Sequence, residues 1–123
     1  AKHDIRVNAL APTAGTRMTE GLIPEKAFDL LTPETVTPAV LYLVGEDAPN
    51  KTILCAGAGA YAVAKIVETD GATLSPEEQT PEVIAAHWAA ITDPEGEKVP
   101  QAGFEQTIKF TAKAAKGLGV SLD

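Results

Sequence analysis

The chain has 123 residues and a formal net charge of −7, with 45% hydrophobic and 22% charged residues. These proportions are typical of a globular protein and allow one domain with a modest core. The negative charge argues against a nucleic-acid partner, because there is no basic patch to contact phosphates. The apolar runs are too short for a bilayer, which predicts no membrane partner, and the lone Cys55 excludes an internal disulfide.

Residues 5–11 predict a buried strand, because Ile5 and Val7 are β-branched and Leu10 extends the apolar run. Pro12 should end that strand, since proline cannot donate to a sheet. The following residues 13–19 are small and rich in hydroxyl groups and backbone amides. At the carboxyl end of a parallel strand, such a loop suits an amide or phosphate ligand.

Two helical stretches follow. Residues 24–31 predict a short helix with Pro24 at its first position. Residues 33–46 predict a core-facing helix, because Thr32 is a suitable cap and the apolar side chains recur at helical spacing. Pro38 offers an alternative start for this second helix, with Thr37 as its cap.

Residues 52–56 predict a second apolar strand, which lies far enough from the first for a parallel crossover. Residues 61–69 predict a third strand, and Asp70-Gly71 a turn. Thr80-Pro81-Glu82 predicts another capped helix start. Residues 104–116 predict a last amphipathic helix with Gly117 as its stop. Two or three strands cannot form a stable open sheet with helices on both faces, so the chain alone should be poorly stable.

The segment from Gly57 to Ala62 fits the pattern G-x-G-x-x-A of dinucleotide-binding turns. That pattern requires a helix after the glycines and an acid at a strand end about twenty residues later. Residues 63–68 favour a helix no more than a strand, and the candidate acids Glu77 and Glu78 fall in a polar loop rather than at a strand end. A bend between two strands is therefore the favoured interpretation.

The remaining polar residues form no catalytic set. His3 and His87 lack an acid partner at a fixed spacing, and Cys55 lies in an apolar strand where a small core residue is expected. No metal-ligand spacing occurs. The sequence therefore predicts neither catalytic residues nor a metal site in this chain, and a lone cysteine agrees with a reducing, cytoplasmic compartment.

Residues 5–12, Ile-Arg-Val-Asn-Ala-Leu-Ala-Pro, resemble the late strand and following loop of short-chain dehydrogenases/reductases. Residues 35–43 and 52–59 resemble the next helix and the last core strand of that family. The sequence of residues 11–19, A-P-T-A-G-T-R-M-T, resembles that of a narrower subgroup of the family. That subgroup comprises the (3R)-hydroxyacyl-CoA dehydrogenase unit of peroxisomal multifunctional enzyme type 2 and its stand-alone bacterial relatives.

The resemblance implies a partial Rossmann-like α/β fold, a doubly wound parallel sheet represented by its last strands and helices. Residues 1–74 would be the C-terminal part of the dehydrogenase domain, and residues 75–123 a lineage-specific helical extension. The cofactor would be NAD or NADP. Backbone groups of Pro12, Thr13 and Ala14 and the hydroxyl of Thr16 would contact it, and residues 18–31 would cover the substrate.

The family's catalytic Ser, Tyr and Lys are absent from their expected context. Tyr61 and Lys65 match the spacing Y-x-x-x-K, but they follow the last core strand and are interpreted as a coincidence. The resemblance thus implies the C-terminal half of an oxidoreductase acting on a secondary alcohol or ketone, with an acyl-CoA as one candidate substrate.

The implied partners are the missing N-terminal half of the same protein and further copies in a homo-oligomer. The alternative interpretation is a self-sufficient small α/β binding or interaction module without catalysis.

Overall fold

The computed structural model describes residues 3–122. The chain divides into two compact units, Ala1–Lys65 and Ile66–Asp123. This division falls earlier in the chain than the boundary expected after residue 74. The assignment of residues 1–74 and 75–123 to two functional parts stays a prediction.

The first unit contains a three-stranded sheet in the order β1-β2-β3. The strands are β1 (Ala9–Pro12), β2 (Ile53–Gly57) and β3 (Ala60–Ala64). β1 and β2 are parallel, in a register that pairs Ala9 with Ile53 and Pro12 with Ala56. The predicted parallel pair is therefore confirmed, and with it the partial Rossmann-like α/β fold.

β1 differs from its predicted bounds at both ends. It begins at Ala9 rather than at Ile5, because β2 begins only at Ile53 and residues 5–8 lie opposite a turn. It includes Pro12, which was expected to lie beyond the strand. Proline has no N–H to donate, but the ladder continues through the next residue, since the Thr13 amide donates to the Ala56 carbonyl at 2.8 Å.

The helices between these strands are shorter than predicted. α1 covers Glu25–Phe28, with Pro24 at its N-cap. The predicted helix 33–46 is broken into a 3₁₀ turn, Pro33–Thr35, and α2, Thr37–Val44. Pro38 explains the break, because it has no N–H for the carbonyl four residues earlier. The alternative start at Pro38 with Thr37 as its cap is closer to the observed helix, in which Val36 is the cap and Thr37 the first helical residue.

β3 pairs antiparallel with β2 through a two-residue turn at Ala58 and Gly59. Both turn residues have positive φ, 51° and 77°, as a type I′ hairpin turn requires. β3 ends at Ala64 because that residue already pairs with Ile53, the first residue of β2. The prediction of a strand over residues 61–69 was therefore right in type but wrong in extent.

The core of the first unit is small. A buried cluster and the half-buried residues around it comprise Val36, Ala39, Ala56, Leu10, Ala14 and Leu54. Because most of these side chains are small, much apolar surface stays exposed elsewhere. On α2, for example, Leu41 and Val44 are 64% and 75% exposed.

The second unit contains a 3₁₀ turn, Pro76–Glu78, and the helices α3 (Pro81–Ala86), α4 (Trp88–Ile91) and α5 (Phe104–Leu118). Thr80 caps α3 as predicted, since its side chain accepts from the Val83 amide. α5 passes through Gly117 and ends at Leu118, and its C-cap is Gly119, whose φ of 65° suits glycine. Gly117 was therefore the wrong choice of stop. No helix of residues 3–122 is long and apolar enough to cross a membrane.

Candidate functional site

The predicted cofactor loop leaves the sheet at the carboxyl ends of the parallel strands β1 and β2. Thr13 follows β1 directly and stays attached to β2 through its amide, which donates to the Ala56 carbonyl. Gly57 lies so close that a Cβ atom there would be 2.6 Å from the Thr13 carbonyl oxygen. The start of the loop is therefore held against the end of β2.

The middle of the loop is anchored to the segment that returns after α1. Ala14 packs on the core cluster, and the Gly15 amide donates to the Leu31 carbonyl at 2.5 Å. A Cβ atom at Gly15 would lie 3.0 Å from the Phe28 carbonyl oxygen and 3.2 Å from the Phe28 ring. Glycine thus allows the loop to approach α1 and Leu31 closely.

The end of the loop is a turn organised by Thr16 and Thr19. The Thr16 amide donates to the Thr19 hydroxyl at 2.9 Å, and that hydroxyl lies 3.2 Å from the Ala14 carbonyl oxygen. The Thr16 carbonyl in turn accepts from the amides of Thr19 and Glu20. These contacts leave Met18 88% exposed at the surface of the turn.

Pro12, Thr13 and Thr16, three of the four predicted cofactor-binding residues, are exposed, and Ala14 is half-buried. Within residues 12–16, the structure shows a protein acceptor for the amides of Thr13, Gly15 and Thr16. It shows none for the Ala14 amide or the Thr13 hydroxyl. The Thr16 hydroxyl accepts from the Met18 amide, which leaves its hydrogen free to donate. These free groups fit an amide or phosphate oxygen.

A shallow cavity of about 280 Å³ lies beside the loop, between Thr13, Leu31 and the β2–β3 hairpin. Cys55 lines it from β2 as a half-buried free thiol. Tyr61 lines it from β3, where its hydroxyl donates to the Thr35 carbonyl at 2.9 Å. The Tyr61 hydroxyl is therefore occupied by a contact within the fold.

The glycine-rich segment after β2 forms the tight turn of the hairpin, with no helix behind it. The dinucleotide pattern at Gly57 is thus not a phosphate-binding turn, and the predicted bend between two strands is confirmed. The Ala58 amide donates to the Thr35 hydroxyl at 3.1 Å, which joins the turn to the 3₁₀ segment.

Polar contacts that the sequence did not predict lie at the opposite end of β1. The Arg6 guanidinium donates to the carbonyls of Glu46 and Ala48. The Asn8 side chain donates to the Pro49 carbonyl at 2.7 Å and accepts from the Thr52 amide at 3.1 Å. An arginine and an asparagine within an otherwise apolar strand were the signal that could have indicated them.

Two ion pairs attach α5 to the segment after Lys65. Lys109 pairs with Glu68, and the Lys113 Nζ lies 2.6 Å from an Asp70 carboxylate oxygen. Hydrogen bonds from Lys109 and Gln106 lower the pKa of Glu68, and the hydrogen bond from Lys113 lowers the pKa of Asp70. These two ion pairs therefore join α5 to residues 68–70.

The histidines do not join these groups. His3 is exposed, and the His87 Nδ1 lies 2.9 Å from the Val83 carbonyl oxygen of the preceding helix. In the part of the chain that the structure describes, no three His, Cys, Asp or Glu side chains form a group that could hold a metal ion.

Comparison with known proteins identifies relatives along most of the chain, although no family model matches it. A short-chain type dehydrogenase/reductase from Mycobacterium tuberculosis is 42% identical over 106 residues, 85% of this chain and 36% of the relative. Peroxisomal multifunctional enzyme type 2 of Mus musculus is 37% identical over 109 residues, 86% of this chain and 15% of the relative.

Among solved structures, full-length peroxisomal multifunctional enzyme type 2 from Drosophila melanogaster superimposes with a TM-score of 0.74 at 27% identity. This match covers 94% of the chain and 21% of that structure. It therefore continues well past residue 74, and so do the sequence matches. The expectation that residues 75–123 are specific to one lineage was wrong.

The chain thus spans about a third or less of the length of the relatives described above. Its parallel strand pair, its loop and the extent of the matches agree with the resemblance inferred from residues 5–19. The chain is homologous to a segment of the short-chain dehydrogenases/reductases and of peroxisomal multifunctional enzyme type 2.

Proposed function

We propose that this chain is the C-terminal part of an NAD(P)-dependent short-chain oxidoreductase that acts on a secondary alcohol or ketone. The observation that carries the proposal is the position of residues 12–16 at the carboxyl ends of two parallel strands, where ligands of such sheets bind. The dehydrogenase names of the relatives support the same reaction class.

In this proposal the loop holds the nicotinamide end of the cofactor. The Ala14 amide and the hydroxyls of Thr13 and Thr16 are the groups free to contact it, and the backbone of Pro12 lines the same edge. A bound nicotinamide would supply the hydride chemistry. Residues 18–31 would cover the substrate and exclude water, since they return to the loop through the Gly15–Leu31 contact.

The catalytic Ser, Tyr and Lys would come from the N-terminal half of the same protein, with Tyr as general acid and base. This half would also cover the apolar faces that β1 and α2 leave exposed. A 3-hydroxyacyl-CoA is the candidate substrate that the subgroup resemblance favours.

The test measures nicotinamide-dependent oxidation of secondary alcohols, including a 3-hydroxyacyl-CoA, by the full-length protein. Thr16→Val removes one hydrogen bond to the cofactor and should raise its KM roughly fivefold, the usual value of such a bond. The matched control is Thr107→Val on the exposed face of α5, which should leave KM unchanged. Absence of any nicotinamide-dependent activity in the wild type would favour the binding module instead.

The proposal includes a cytoplasmic homo-oligomer. Relatives from Saccharomyces cerevisiae and Mus musculus carry the word peroxisomal in their names. Subcellular fractionation therefore distinguishes a cytoplasmic from a peroxisomal protein. Light scattering of the full-length protein gives its number of subunits. A monomeric or organelle-bound protein would contradict these parts of the proposal without affecting the reaction class.

A further inference from the structure

We propose that Asn8 is a positioning residue for the cofactor loop, because it sets the register in which β1 lies against β2. This inference rests on the proposed function for its catalytic consequence, but its structural part can be tested without activity. Asn8 lies one residue before β1 and five residues before Thr13, so any effect on the loop must pass through the strand.

The Asn8 amide group makes two contacts of opposite polarity with one turn. Its nitrogen donates to the Pro49 carbonyl and its oxygen accepts from the Thr52 amide. A primary amide holds a donor and an acceptor in one plane, so a single side chain can make both contacts. Aspartate would lose the donor, and leucine, of similar shape, would lose both contacts.

The neighbouring residues bind the same turn. Arg6 donates to the Glu46 and Ala48 carbonyls, and the Val7 amide donates to the Asn50 side chain at 2.8 Å. We call Arg6, Asn8 and the backbone of residues 46–52 the clamp. It joins the two strands through directional polar contacts outside the ladder.

The strands themselves specify their register weakly. Ala9-Leu10-Ala11 lies against Ile53-Leu54-Cys55, so a shift would exchange one apolar contact for another. Side-chain pattern selects a register only where a shift would move apolar residues to a polar face. The clamp supplies the missing specificity, because its donors and acceptors match in one alignment.

The loop depends on that alignment at the other end of β1. Only in this register does the Thr13 amide donate to the Ala56 carbonyl. In the same register the Thr13 carbonyl lies beside Gly57, where there is no Cβ atom to clash with it. A shift of two residues, the smallest that keeps each side chain on its face, would move the loop by roughly 6 to 7 Å. The free groups of residues 13–16 would then no longer lie at the end of β2.

The experiment compares Asn8→Leu with Ala39→Gly in the full-length protein. Ala39 is buried in α2, so its substitution destabilises the same unit without touching the clamp. Asn8→Leu should lower the exchange protection of the Thr13 amide about tenfold, while α2 stays protected. It should also raise the cofactor KM about tenfold, a change that Ala39→Gly does not produce.

Asn8→Asp keeps the contact with Thr52 and should show a smaller change in both measurements. If Asn8→Leu fails to fold, Asn8→Asp is the variant on which both measurements are made. The inference is overturned if the Thr13 amide remains as protected in the Asn8 variants as in Ala39→Gly. If the wild type shows no nicotinamide-dependent activity, the proposed function fails, whereas the exchange measurement still decides whether Asn8 sets the register.

Discussion

Gly57 illustrates how a single missing side chain shapes the loop. A Cβ atom there would meet the Thr13 carbonyl oxygen at 2.6 Å, a distance that backbone atoms cannot tolerate. From the sequence, this glycine fits a phosphate-binding pattern and the end of a core strand, but neither indicates its contact with Thr13. Its role is to let the chain after β1 pass close to the end of β2.

Gly57→Ala should therefore lower the free energy of unfolding by about 1 to 3 kcal/mol, the usual cost of an overpacked site. Gly45→Ala is the control, since a Cβ atom at Gly45 would have its nearest neighbours at 3.4 Å, an ordinary contact. Denaturant unfolding of the full-length proteins measures both. Equal stability of the two variants would show that the loop can move away at no cost.

The ion pairs of α5 predict a dependence of its attachment on pH. The pKa values of Glu68 and Asp70 are lowered from their ordinary values of 4.5 and 3.8 by hydrogen bonds from Lys109 and Lys113. Carboxyls with lowered pKa values in the folded state stabilise it above their ordinary pKa. That contribution disappears as the pH falls through the lowered values.

Exchange protection of the α5 amides should consequently decrease as the pH is lowered from about 5 to about 3. Lys113→Met should weaken this decrease, because Asp70 then loses its partner at every pH. Lys116→Met, on the same helix but outside both ion pairs, should retain the full decrease. If both variants kept the same pH dependence, the ion pairs would not be what attaches α5.

At the scale of elements, the tripeptide Thr-Pro-Glu occurs twice with different results. At Thr80 the hydroxyl accepts from the Val83 amide and α3 begins. At Thr32 no side-chain cap forms, and the proline leads into a single 3₁₀ turn. The difference arises downstream, where Pro38 interrupts the first helix and no second proline interrupts the other.

Thr80→Ala should destabilise α3 by about 1 kcal/mol, because one helix-terminal amide loses its acceptor. Thr32→Ala should change stability much less, since the bonds at that position involve the Thr32 backbone carbonyl, which alanine retains. Thermal unfolding of the two variants measures the difference. A loss at Thr32 as large as that at Thr80 would contradict the assigned caps.

At the scale of the whole chain, buried apolar surface is scarce. Among the described residues, Val36 is the largest buried side chain, and the other buried ones are alanines. Large apolar side chains such as Leu41, Phe104 and Trp88 are more than half exposed. Folding free energy depends mainly on burial of such groups, so these 123 residues offer little of it.

The isolated chain should therefore unfold without a sharp transition and should bind a hydrophobic dye at neutral pH. Near-ultraviolet circular dichroism and the fluorescence of Trp88 measure this directly, with the full-length protein as the control. A cooperative transition of the isolated chain would contradict the prediction and support a self-sufficient binding module.

Interactions between residues close in sequence were sufficient to predict much of the fold. The apolar run of β2, the bend at Ala58-Gly59, the Thr80 cap and the long helix α5 were all predicted. Each depends on residues within a few positions of one another. The family relationship was also recognisable from residues 5–19, because the amino-acid sequence of this loop is specific to the subgroup.

Contacts between distant residues decided the rest. β1 begins at Ala9 because residues 6–8 bind a turn that lies 40 to 44 positions away in sequence. β3 ends where β2 has no residue left to pair, and Gly57 matters because Thr13 passes beside it. No local pattern contains this information, since strand bounds and register are properties of both partners together. The position of the loop after β1, the proposed cofactor loop, therefore follows from the alignment of β1 and β2.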